Sequence, residues 1–161
     1  EGYLTRIQES LSVAVHVRRG DYVTSSQIYG GICTESYYCA AVKHMLTFFP
    51  GAAFYIFTND PEWAREWVPR LCGQINGITG DRFTVVEGTR EDTGYLDMFL
   101  MSRCRNYILA NSSFSWWGAW LNPSPDKKII APSKWFNNQD CRDIYTEDMI
   151  KISPEGGLVK E

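Results

Sequence analysis

Apolar and polar positions alternate in blocks along the chain, and their period changes from block to block. Residues 13–17, VAVHV, are a short apolar run that reads as a buried strand, and 34–50, TESYYCAAVKHMLTFFP, place apolar residues at helical spacing. Thr34 suits the N-cap of that helix, and Pro50 with Gly51 closes it. AFYIFTND (53–60) is a second strand of aromatic and β-branched residues, and PEWAREWVPRLC (61–72) opens with proline where a helix start favours it. The alternation continues through a third strand in RFTVVEG (82–88), a helix in EDTGYLDMFLMSRCR (91–105) and a fourth strand in NYILAN (106–111). A short helix in SSFSWWGAWLN (112–122) and a fifth strand in KKIIAP (127–132) complete it. Repeated strand, helix, strand units predict an α/β fold, a Rossmann-like parallel sheet with helices on both faces. The opening EGYLTRIQES reads as a polar lead-in, NNQDCRD (137–143) as irregular chain, and DMIKI (148–152) as a segment that packs back on the sheet or reaches another domain.

Composition narrows the classes. A length of 161 residues with 44% hydrophobic and 14% aromatic content suits one domain with a full core. No apolar run approaches the roughly 18 to 20 residues of a membrane span, and the start lacks the basic-then-apolar pattern of a signal peptide. A formal charge of −3 argues against a general nucleic-acid binder, which needs a basic face against phosphates, so any anion site is local. Five cysteines, an odd number without a CxxC pair, and two histidines fit neither a disulfide framework nor a zinc site; they read as reduced, mostly buried thiols.

The chemistry concentrates where strands end. After VAVHV come Arg18, Arg19, Gly20 and Asp21, at the carboxyl end of the first strand, where parallel sheets bind ligands. Side chains alternate along a strand, so His16 and Arg18 project to one face and Val17 and Arg19 to the other. One arginine can then fork onto a phosphate with two charge-assisted hydrogen bonds, while the other makes a structural pair such as Arg19 with Asp21. Pairing of both arginines with acids is the competing reading. Asn111, Ser112 and Ser113 run a strand straight into a helix, offering N–H groups and hydroxyls to an anion, a role compatible with plain N-capping. Trp116, Trp117 and Trp120 sit at helical spacing that favours core packing over sugar stacking. Asp97 is a lone acid among apolar residues, costly to bury without a donor, and a guanine ring supplies adjacent N–H donors. Asn59 and Asp60 end the second strand as further candidates, or as a simple turn before Pro61. No GxGxxG or GxxxxGK[ST] is present.

HVRRGDYV, FYIFTNDPEW, YLDMFLMSRC, NSSFSWWGAWLNP and IIAPSKWF together resemble the α-1,2-fucosyltransferases of glycosyltransferase family eleven, particularly the bacterial type, over most of residues 12–136. The resemblance implies the C-terminal, donor-binding half of a GT-B fold that moves L-fucose from GDP-fucose to a galactose 2-hydroxyl with inversion. It implies no metal and no cofactor beyond the donor substrate, in keeping with the lack of a DxD sequence. By the same resemblance Arg18 holds the β-phosphate, His16 and Asp97 lie against the nucleoside, and the helix start Ser113, Phe114 and Ser115 completes the phosphate cradle, next to Ser112. Arg19, Asn59 and Asp60 join the donor-binding candidates, and Asp21 is the nearest acid to act as base, with fixing the loop as its other role. The chain departs from the family where CxHxIxAN becomes CRNYILAN, so no role passes to Asn106.

With only a dozen residues before the arginine motif, the whole of 1–161 reads as the donor-binding domain with the acceptor-binding half absent. The expected partners are GDP-fucose, a galactose-containing glycan and the missing half, with peripheral association with a membrane and no nucleic acid. The expected compartment is the cytoplasm, with the Golgi lumen as the alternative. Two rivals stay open: a non-catalytic nucleotide-sugar-binding module that meets a partner through WWGAW, and a fucosyltransferase of another linkage such as α-1,6.

Overall fold

The six residues Ser12–Val17 form strand β1, and all of them are buried, which is what a central strand covered on both faces requires. A short helix α1 (Tyr3–Glu9) precedes it. Along the chain follow α2 (Asp21–Thr24), α3 (Ser26–Tyr29), α4 (Glu35–Phe48), β2 (Ala53–Thr58), α5 (Pro61–Gly73) and β3 (Phe83–Val85). Then come α6 (Gly94–Ser102), β4 (Asn106–Ile108), α7 (Ser113–Trp120), β5 (Ile129–Pro132), β6 (Met149–Ile152) and β7 (Leu158–Val159). This computed structural model describes residues 2–88 and 90–160, without the side chains of Asp21, Tyr22 and Glu91.

The strands form one sheet in the order β3-β2-β1-β4-β5-β6-β7, parallel from β3 to β6 and antiparallel only at β7. The fold is therefore Rossmann-like, as the block pattern predicts. Strand alternation divides β1 between two cores. Val13, Val15 and Val17 pack with Tyr38, Met45, Trp67 and Leu71 of α4 and α5. Ala14 shares the opposite layer with Ile7, Met101 and Ala119 of α1, α6 and α7. The chain winds outward from β1 to β3 on the first face, then crosses to β4 and winds the other way on the second. The reversal falls between β1 and β4, the switch point beside which such sheets open a crevice.

Local chemistry explains the boundaries. The Thr34 hydroxyl accepts from the Tyr37 amide at 3.0 Å and donates to the Pro154 carbonyl, capping α4 and tying it to the β6–β7 turn. Asp60 caps α5 by accepting from the Trp63 amide at 3.1 Å, ahead of Pro61.

Several expectations change. The lead-in is helix α1, whose thin apolar stripe buries only Ile7 fully. The third and fourth strands are three residues each, shorter than their apolar runs. DMIKI does join the sheet, as β6 beside β5. The five cysteines are free thiols, but only Cys39 and Cys104 are fully buried. The tryptophans of α7 are not core residues: Trp117 and Trp120 are 49% and 57% exposed. The helix instead turns its small residues Ser115, Gly118 and Ala119 inward. A Cβ on Gly118 would lie 3.1 Å from the Met101 Cβ, so α6 and α7 approach closely only because that position is bare. Trp116 is half-buried, donating through Nε1 to the Ile144 carbonyl at 2.9 Å and stacking on Trp120. Among the described residues no helix is long and apolar enough to cross a membrane.

Candidate functional site

Strands β1, β2 and β3 end side by side, and a cavity of about 660 Å³ opens beyond their carboxyl ends. That volume suits a nucleotide-sized ligand. Strand β1 contributes His16 with Arg18 just beyond, β2 contributes Phe57 and Thr58 with Asn59 just beyond, and the chain after β3 contributes Val86, Glu87, Gly88 and Arg90. The opposite wall is Gly94 and Asp97 at the start of α6 and Phe114 at the start of α7.

His16 is 4% exposed, its ring 5.4 Å from that of Phe114, and its Nδ1 is buried with no hydrogen-bond partner among the described residues. Burial first, and the Arg18 charge second, push its pKa down to about 3, so the imidazole is neutral at pH 7. A neutral ring with an unmet buried nitrogen at a cavity wall is an incomplete polar group, the kind a bound ligand completes. Asp97 is half-buried, with its Oδ1 inside.

The predicted alternation holds, and it separates the two arginines. Arg18 lines the cavity. Arg19 turns to the other face, where Nε lies 3.3 Å from Asp60 Oδ2 and the guanidinium lies 4.2 Å from the centre of the Trp63 ring. Among the described residues its ion pair is with Asp60; the Asp21 side chain lies outside them. Asn59 closes the same corner by accepting from the Arg19 amide and donating to the Arg19 carbonyl, both at 2.8 Å. Gly20 makes this turn at φ +71, and a Cβ there would sit 3.0 Å from Asn59 Nδ2. The glycine of RRGD is therefore a backbone requirement.

The structure thus gathers His16, Arg18, Asn59, Asp97 and Phe114 around one cavity, and leaves Arg19, Asp60, Ser112, Ser113 and Ser115 off its lining. Arg19 and Asp60 hold each other, with Asp60 also spent on the α5 cap. The Ser112 hydroxyl caps α7, accepting from the Phe114 amide at 3.3 Å. Ser115 is buried and donates to the carbonyls of Ser112 and Ala110, while Ser113 is exposed beside Phe114. Asn106 accepts from the Lys128 amide at 2.8 Å and joins β4 to β5.

Sequence reading missed the β3 side of the cavity. Glu87 is ion-paired with Arg65 of α5, and Arg90 stands three residues later. The available signal was position: both follow a strand end in a sheet whose other strand ends carry the site.

The profile of Glycosyl transferase family 11 matches residues 2–153. An Escherichia coli protein named alpha-1,2-colitosyltransferase is 37% identical over 145 residues, which is 88% of this chain and 47% of that protein. The E. coli O-antigen biosynthesis glycosyltransferase WbnK is 35% identical over 143 residues, covering 88% of this chain and 44% of its own length. The human galactoside alpha-(1,2)-fucosyltransferase 1 is 29% identical over 111 residues, 68% of this chain and 28% of that protein. The chain spans less than half the length of these relatives. It belongs to glycosyl transferase family 11.

Proposed function

We propose that the cavity takes the GDP moiety of GDP-L-fucose. The chain is then the donor-binding part of an inverting, metal-independent glycosyltransferase of GT-B type that acts on a galactose 2-hydroxyl. What carries this reading is the convergence of a guanidinium, a neutral imidazole and a half-buried carboxylate on one nucleotide-sized cavity at the switch-point edge of the sheet. In this reading Arg18 forks onto the diphosphate, Asp97 accepts from the guanine N–H groups, and His16 lies against the nucleoside with Phe114.

In the reaction the bond from the anomeric carbon to the β-phosphate oxygen breaks, and its electron pair stays with GDP. The acceptor oxygen bonds that carbon from the opposite face, and its proton passes to a base, for which Asp21 is the candidate in the arginine motif. Negative charge grows on the leaving diphosphate, so a cation already aimed there lowers the barrier; one such donor is worth about 3 kcal/mol, or roughly a hundredfold in rate. The relative named a colitosyltransferase favours a second donor sugar, colitose, with the same α-1,2 linkage.

Calorimetric titration with GDP-fucose, the colitose donor, GDP and ADP tests the reading. The expected result is binding of guanine nucleotides well ahead of ADP, with Asp97→Asn weakening GDP by about 10- to 100-fold and leaving ADP little changed. Equal binding of ADP and GDP would remove the guanine assignment, and no nucleotide binding at all would favour the non-catalytic module.

A further inference from the structure

Two arginines line the cavity, and they come from different strand ends: Arg18 from the end of β1, and Arg90 from the chain between β3 and α6. The second is anchored by its backbone. The Arg90 amide donates to the Thr93 hydroxyl at 2.7 Å, and that hydroxyl donates back to the Arg90 carbonyl at 3.2 Å, just ahead of the 3-10 turn Glu91–Thr93. Gly88, which also lines the cavity, stands in the left-handed region at φ +92 shortly after β3.

The Arg90 side chain has no such tether. Its guanidinium makes no hydrogen bond, ion pair or ring contact among the described residues, although it lines a cavity that also holds Glu87 and Asp97. Glu87 does not neutralise it, because that carboxylate is held by Arg65 from α5. A cation whose backbone is tied to Thr93, at the lining of a cavity and without an anion among the described residues, is open to an anion from outside.

We propose that Arg90 is a second phosphate-binding residue, which closes with Arg18 on the two phosphates of a nucleoside diphosphate. This inference rests on the GDP-donor reading above. A diphosphate ester carries one negative charge on each phosphate, and a single guanidinium fork spans the oxygens of one. When the sugar leaves, a further charge collects on the same diphosphate, so a second cation beside Arg18 serves binding and departure alike.

The test compares the wild-type chain with Arg90→Gln and Arg18→Ala, titrated with GDP and, by competition, with guanosine. Loss of one fork predicts that Arg90→Gln weakens GDP by about 30-fold and guanosine by less than about twofold. Because Arg90 is exposed, its variant keeps the wild-type unfolding temperature. GDP binding by Arg90→Gln within threefold of wild type, alongside its loss in Arg18→Ala, would overturn the role of Arg90 and leave the donor reading standing. A wild-type chain that does not bind GDP would remove both.

Discussion

At the scale of single residues, neighbours in sequence have unrelated tasks because a strand sends them to opposite faces. Arg18 meets the cavity, and Arg19 is fixed by Asp60 and Trp63. His16 shows what the cavity edge costs the fold. Its folded pKa, about 3, lies below the ordinary value of 6.5 through burial and then through Arg18. An unfolded chain takes up that proton below about pH 6.5, whereas the folded chain refuses it until about pH 3. The neutral ring's contribution is therefore complete above pH 6.5 and is lost as pH falls. Between pH 7 and pH 5 the linkage amounts to about 2 kcal/mol of lost stability. Denaturant unfolding at the two pH values should show that loss in the wild type and a smaller one in His16→Gln; equal losses would mean that His16 titrates normally in the folded chain.

At the scale of elements, the site depends on how closely α6 and α7 approach, since one carries Gly94 and Asp97 and the other Phe114. Gly118 sets that approach against Met101. Gly118→Leu should cost about 1–3 kcal/mol by overpacking, and should weaken nucleotide binding by parting Asp97 from Phe114. Unchanged stability would show that the helices have room to spare. The same pair of helices marks where sequence reading was weakest. Strand and helix identities were legible because apolar periods switch cleanly, as was the cap at Thr34 ahead of its apolar run, whereas Asp60, read as a site candidate or a turn, is the cap of α5. The inward face of α7 was not legible. Three tryptophans at helical spacing outweigh a serine, a glycine and an alanine in any hydrophobic count, yet only the small residues let the helix reach its neighbour. Helix α1 was hidden for the opposite reason, with one fully buried side chain in seven residues.

At the scale of the molecule, a sheet that reverses its winding between β1 and β4 gathers strand ends from distant parts of the sequence into one cavity. His16, Arg18, Asn59, Asp97 and Phe114 could be named from sequence because each belongs to a dense local motif. Glu87 and Arg90 were missed because their place after a strand end is their one mark in sequence, with no dense motif around them; the parallel alignment of β3 with β2 brings them to the same edge. In the proposed reading the five motif residues and Arg90 share one ligand, a diphosphate nucleotide seated across the strand ends with Arg18 as its principal anchor. The affinity of GDP for wild type, Arg18→Lys and Arg18→Ala, measured by calorimetry, tests this most directly. A bidentate fork predicts a loss of at least about 100-fold in Arg18→Ala and about tenfold or more in Arg18→Lys, since lysine keeps the charge without the geometry. Wild-type affinity in both variants would contradict it.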